Sequence, residues 1–106
     1  MSGRLHHLVS ATEWAEVGDE YQPASLTEEG FIHFSTAAQI PATSLRYYAD
    51  VTDLLVVTVD PARLDAEVRW EDLHGTGVFP HLYGPLPVAA VTRVDAYTPG
   101  DTFVAE

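Results

Sequence analysis

The run Leu54-Leu55-Val56-Val57-Thr58-Val59 constrains this chain more than any other stretch. Alternate side chains of a strand point to opposite faces of its sheet. A β-branched run with no polar face therefore predicts a central strand that is covered on both sides. Asp60-Pro61 ends it, because proline brings no amide to a ladder, and opens a single turn through Leu64. Every other element has to be arranged around that strand.

Four further apolar segments read as strands. The first is Arg4-Leu5-His6-His7-Leu8-Val9, in which the two adjacent histidines must lie on opposite faces, so one is expected to look outward and the other inward. The second is residues 31–35, with Phe31, His33 and Ser35 on one face and Ile32 and Phe34 on the other. Val68-Arg69-Trp70 is a third, short one, and residues 88–97 form the last. Helix signals fall between them. Ser10-Ala11-Thr12-Glu13 fits a capping box and predicts a helix through Trp14 and Val17 that stops at Gly18. Trp14 reads as a core anchor. Thr36-Ala37-Ala38-Gln39 is a second capping pattern, and Pro41 suits the first turn of a helix that continues through Leu45, Tyr47 and Tyr48. Residues 19–29 read as irregular, and those beyond Tyr97 as a loosely held tail.

About five strands and two or three helices in mixed order predict an α+β fold. A chain of 106 residues is one domain by size, 1–106 with its core at about 5–97. No run is long enough to span a bilayer, no basic-then-apolar leader opens the chain, and a cytoplasmic location is expected. With no cysteine there is no disulfide, thiolate metal site or cysteine nucleophile. The chain has no lysine, five arginines and a net charge of −11. A field of that sign repels phosphate backbones, so long nucleic acid is an unfavourable partner. It still leaves room for one small anionic ligand held by an arginine, and Arg4, beside the first strand, is a candidate phosphate contact. The sequence is silent on oligomeric state.

The functional signal lies in the histidines. Four of five sit in apolar segments: His6 and His7, His33 in Glu29-Gly30-Phe31-Ile32-His33-Phe34-Ser35-Thr36, and His81 in Phe79-Pro80-His81-Leu82-Tyr83-Gly84-Pro85. Apolar walls with a few placed polar groups are what small-molecule pockets contain. His33, Ser35 and an inward His7 would supply donors and acceptors, and His81 and Tyr83 flat faces for a ring. The competing structural reading makes His81 a satisfied core histidine between Pro80 and Pro85, and Tyr83 a half-buried packing residue. Three converging imidazoles, His7, His33 and His81, would suit a catalytic metal, but none forms a tight i, i+2 or i, i+4 pair, and no metal site is expected. There is no Gly-x-Ser-x-Gly elbow and no Gly-rich phosphate loop.

The two histidine motifs, with Gln39 four residues after Ser35, Ser25-Leu26 before Gly30, and His7-Leu8-Val9 followed by Trp14, resemble the signatures of the DUF952 family of small bacterial domains. The resemblance covers nearly the whole chain. It implies a split, mostly antiparallel sheet similar to that of the ADP-ribosyltransferase superfamily, which grips NAD in a cleft. Carried over by position, His7 would contact a ribose, and His33 with Ser35 would hold the nicotinamide half. Ser25, Gln39 and Tyr83 would join them in the ligand pocket. The second strand, residues 31–35, also resembles the Gly-His-Ser element of RNA 2′-phosphotransferases, whose RNA substrate the charge of −11 disfavours. The superfamily's later-strand carboxylate has no direct counterpart: His81 stands in the matching stretch, and Glu71 is the nearest acid. The expectation is an NAD or ADP-ribose-binding domain in which His7, His33, Glu71 and His81 carry any transfer or glycohydrolase chemistry. The alternatives are a non-catalytic sensing or interaction module and a histidine-metal hydrolase.

Overall fold

The structure is a computed structural model that describes residues 3–104. In it Leu54–Val59 is strand β4, flanked by β1 (Leu5–Ser10) and β8 (Val91–Ala96) and antiparallel to both. Both faces of β4 are covered, as its sequence requires. Val57 and Val59 enter one core cluster with Leu5, Val9, Ile32, Phe34, Leu82 and Leu86. Leu54 and Val56 enter a second cluster with Leu8 and Ile40.

A second antiparallel sheet has the order β3-β6-β5, with β3 at Ile32–His33, β5 at Val68–Glu71 and β6 at Phe79–Leu82. The two sheets meet through one bridge. Ser35 N–H donates to the His6 carbonyl at 2.7 Å, His6 N–H donates to that of Ser35 at 2.9 Å, and Phe34 N–H donates to the Pro80 carbonyl at 3.0 Å. The stretch after β3 thus has β6 on one side and β1 on the other. A two-residue pair, β2 (Glu20–Tyr21) with β7 (Leu86–Pro87), is antiparallel as well. The fold is an α+β domain with antiparallel sheets.

Three α-helices complete the described residues: α1 (Ala11–Trp14), α2 (Ala24–Glu28) and α3 (Ile40–Tyr48). Ser10 caps α1, its hydroxyl accepting from Glu13 N–H at 3.1 Å. The return half of the box is absent because Glu13 Oε2 faces the Tyr21 hydroxyl instead. The regular helix accordingly ends at Trp14 and only turns carry it to Val17, short of the expected stop at Gly18. Trp14 packs on the core, edge to face with Tyr21. The box at Thr36 and Gln39 is complete, and a 3₁₀ turn (Ala37–Gln39) runs into α3 with Pro41 in its first turn.

Three expectations are corrected. Residues 19–29 are not irregular: they hold β2 and α2, and Gly30 takes the φ of +90° that closes α2 in the region glycine occupies without strain. Residues 98–104 are pinned, not loose: Phe103 packs on the second cluster, and Gly100 N–H donates to Ser44 Oγ at 2.8 Å. Finally, neither His6 nor His7 looks outward; their exposures are 1% and 6%. They do point to opposite faces, but both faces of β1 are covered. His6 Nδ1 lies 3.0 Å from Thr58 Oγ1 and its ring meets Phe103, whereas His7 lies against Phe34 and Tyr21.

His7 is a strut. Its Nδ1–H donates to the His33 carbonyl at 2.6 Å, which leaves Nε2 as an acceptor 2.8 Å from the Tyr21 hydroxyl. Burial pulls its pKa down from 6.5 to about 4. The unfolded chain therefore binds this proton more tightly than the folded one. The contribution is complete above pH 6.5, falls as the pH drops, and levels off below about 4. Denaturant titrations should show a loss on the order of 3 kcal/mol across that window, at about 1.4 kcal/mol per pKa unit. His7→Gln, which can keep both hydrogen bonds, should remove most of that slope; an unchanged slope would clear His7. Ser44→Ala should cost about 1–3 kcal/mol by orphaning Gly100 N–H, and exchange protection of that amide should collapse.

Candidate functional site

Helix α3, the segment 33–35, β6 and the loop 72–78 enclose a cleft of about 920 Å³. His33, Phe34 and Ser35 form its floor with Phe79 and His81. Thr43, Arg46 and Tyr47 of α3 make the opposite wall, and His74 and Thr76 approach from the loop. Phe34 also belongs to the first core cluster, so one edge of the cleft rests on packed apolar structure.

Two imidazoles on the floor are each held by a carboxylate. His81 is 2% exposed, and its Nδ1–H donates to Glu71 Oε1 at 2.9 Å. The same oxygen accepts the Tyr83 hydroxyl at 2.6 Å. These two bonds, that from Tyr83 first, hold the Glu71 carboxyl below the usual carboxylate range. An anionic Glu71 fixes the His81 tautomer with its proton on Nδ1, so the lone pair of Nε2 is left for the cleft. The Phe31 ring stacks on His81 with centroids 4.2 Å apart, and Arg69 lies 4.3 Å over the Tyr83 ring. The second pair is His33 Nε2 with Glu29 Oε2 at 3.0 Å, at the wetter end of the cleft. His33 sits edge-on to His81 at 5.4 Å and 6.2 Å from His74, centroid to centroid.

Of the residues singled out by sequence, His33, Ser35, Gln39 and His81 line the cleft. Glu71 and Tyr83 stand behind His81, and His7 stands behind His33, bonded to its carbonyl. Ser25 is elsewhere: its carbonyl accepts the Glu29 and Gly30 amides that end α2. Gln39 spends its amide on structure, Oε1 accepting Thr36 N–H and Nε2 donating to the Val78 carbonyl, which ties the loop 72–78 to α3. Arg4 pairs with Asp60 at 3.1 Å and is not a cleft residue. With both His7 ring nitrogens engaged, the three imidazoles do not converge, and among the described residues no group of His, Cys, Asp and Glu is placed to hold a metal ion.

Glu29, Arg46, Tyr47 and His74 are cleft residues that sequence reasoning passed over. Glu29 and His33 are four apart, a spacing that signals contact only within a helix. Here Gly30 turns the chain between them, and that turn brings them together. His74 carried the plain signal of being a histidine in a glycine-bearing loop.

No helix among the described residues is long and apolar enough to cross a membrane. No curated protein matches the chain. Its fold is similar to that of protein CC0527 from Caulobacter crescentus. The crystal structure of that protein has a TM-score of 0.78 and 29% identity, over 94% of this chain and 91% of that one. Its solution NMR structure gives 0.76 and 30%, over 90% and 84%. A family model described as a protein of unknown function, DUF952, matches residues 8–94, which takes in both histidine pairs of the cleft, and the chain belongs to that family.

Proposed function

We propose that the cleft binds a nucleotide of the NAD or ADP-ribose class and that the Glu71–His81 pair is its acid–base group. The observation that carries the reading is the shared Glu71 oxygen, which accepts from both His81 Nδ1 and Tyr83 while His81 faces the cleft. A carboxylate behind an imidazole orients it and stabilises the imidazolium that forms when it takes a proton. In hydrolysis of an N-glycosidic bond, water adds to the anomeric carbon as the C–N bond breaks. The departing base keeps the bonding electron pair, and His81 Nε2 takes the proton that water loses.

Glu29 then fills the part that the sequence left between Glu71 and His81. It is the carboxylate that lines the cleft, and His33 holds it at 3.0 Å. A fixed negative charge there would oppose the positive charge of an oxocarbenium-like centre. The nucleotide class draws on the similarity of the family's fold to that of the ADP-ribosyltransferase superfamily, and on a cleft roomy enough for such a ligand. One observation favours a ligand-sensing module without chemistry. The Glu29 and His33 side chains are 39% and 42% exposed, and water at that level weakens charge stabilisation.

Thermal unfolding with NAD and with ADP-ribose tests binding. A ligand at 100 times its dissociation constant adds about 2.7 kcal/mol, several degrees for a domain of this size. Nicotinamide release from NAD tests the chemistry. Glu71→Gln should leave the ligand-induced shift intact and lower release by about a hundredfold or more. Equal release from both proteins would remove Glu71 from the mechanism, and a shift without any release would establish the sensing module.

A further inference from the structure

Cations are scarce in this chain, and their placement is informative. Of five arginines, four are committed to carboxylates: Arg4 and Arg63 to Asp60, Arg69 to Glu67, and Arg93 to Asp95. Arg46 alone has no carboxylate partner among the described residues, and it is the only arginine that lines the cleft. Its sequence neighbour Asp50 is four positions on, a spacing that brings side chains together on a helix. Helix α3 ends at Tyr48, so Asp50 falls outside it and the pair does not form.

The site around Arg46 has a direction. Thr43, one turn earlier on α3, and Tyr47 beside it offer hydroxyls on the same wall. Across the cleft stand the His81 and His33 imidazoles with their carboxylates. An anionic group would meet Glu29 on that far side and a guanidinium on this one. With a net charge of −11 the molecule as a whole repels anions, so an anionic ligand needs a local cation to enter. A guanidinium presents its donors as a planar fork that suits phosphate oxygens.

We infer that Arg46 anchors the phosphate of the cleft's ligand against α3 and so directs the end of that ligand that carries the glycosidic bond to His81. The inference deepens the nucleotide reading above and rests on it for the identity of the ligand, though not for the anion site itself. The ligand class is a phosphate-bearing molecule of low charge, since one cation serves it; a polyanion such as RNA finds no second arginine on this wall.

Calorimetric titration of the intact protein with ADP-ribose, adenosine and inorganic pyrophosphate, at two ionic strengths, tests this. The wild type should bind ADP-ribose more tightly than adenosine, by a margin that shrinks with salt. Arg46→Gln should weaken ADP-ribose at least about tenfold, to the level of adenosine, and Arg46→Lys should retain part of the loss. Undiminished binding of ADP-ribose by Arg46→Gln would overturn the anchor while leaving the nucleotide reading intact. Binding of pyrophosphate that depends on Arg46, without binding of ADP-ribose or NAD, would uphold the anchor and reject the nucleotide. No binding of any anion by the wild type would overturn both. Because Arg46 is exposed and carries no internal bond among the described residues, folding of its variants is not at stake.

Discussion

The pair of hydrogen bonds between His6 and Ser35 joins the two three-stranded sheets, and the position of the cleft depends on it. On its other side the same short segment bonds to β6 through Phe34 N–H and the Pro80 carbonyl. Backbone amides left unpaired in a dry interior cost about as much as a lost hydrogen bond, so a segment flanked by two strands has little freedom to move. His7 adds a side-chain bond to the carbonyl of His33, the first residue of the cleft floor. The imidazole of His33 is thereby presented by a backbone held from three directions, and His81 lies directly opposite it in the β3–β6 register.

That seam explains which parts of the molecule could be read from the chain and which could not. The central strand was legible because five apolar residues with a single threonine leave no polar face and admit only a two-sided environment. The N-cap at Ser10 and the capping box at Thr36 were legible because they use neighbours in sequence. The direction of His6 was not, since the cover over its face comes from Phe103, nearly a hundred residues away. The β2–β7 pair escaped for a related reason. Two residues carry no periodicity, and Tyr21 is buried by what crosses it from β1 and α1. At the site, the motif residues His33, Ser35 and His81 were found by chemistry, whereas Glu29 and Arg46 needed the turn at Gly30 and the end of α3 to acquire their meaning.

Partner chemistry divides the four strand-borne histidines into two kinds. His6 and His7 lie within the core, His6 Nδ1 beside a threonine hydroxyl and His7 between a backbone carbonyl and a tyrosine hydroxyl. A neutral imidazole suits such partners, and burial enforces it at His7. His33 and His81 bond to carboxylates, and both border the cleft. In each of these pairs the carboxylate takes one ring nitrogen, Nε2 of His33 and Nδ1 of His81, and so sets how the ring is turned. His81 is as buried as His6 and still borders the cleft.

The acidic composition has a consequence for the same cleft. Sixteen carboxylates on a chain with five arginines make most of the surface inhospitable to anions, and the arginines outside the cleft are neutralised in place. Affinity for an anionic ligand therefore cannot come from the general field and has to come from local geometry. The cleft supplies that geometry as an asymmetry, with the guanidinium of Arg46 on the α3 wall and the carboxylate of Glu29 on the floor. An electrically uniform pocket of the same size would leave a ligand free to bind either way round. Opposed charges on its two sides would favour one orientation of a bound ligand over the other, and orientation is what a cleft needs in order to act on a particular bond.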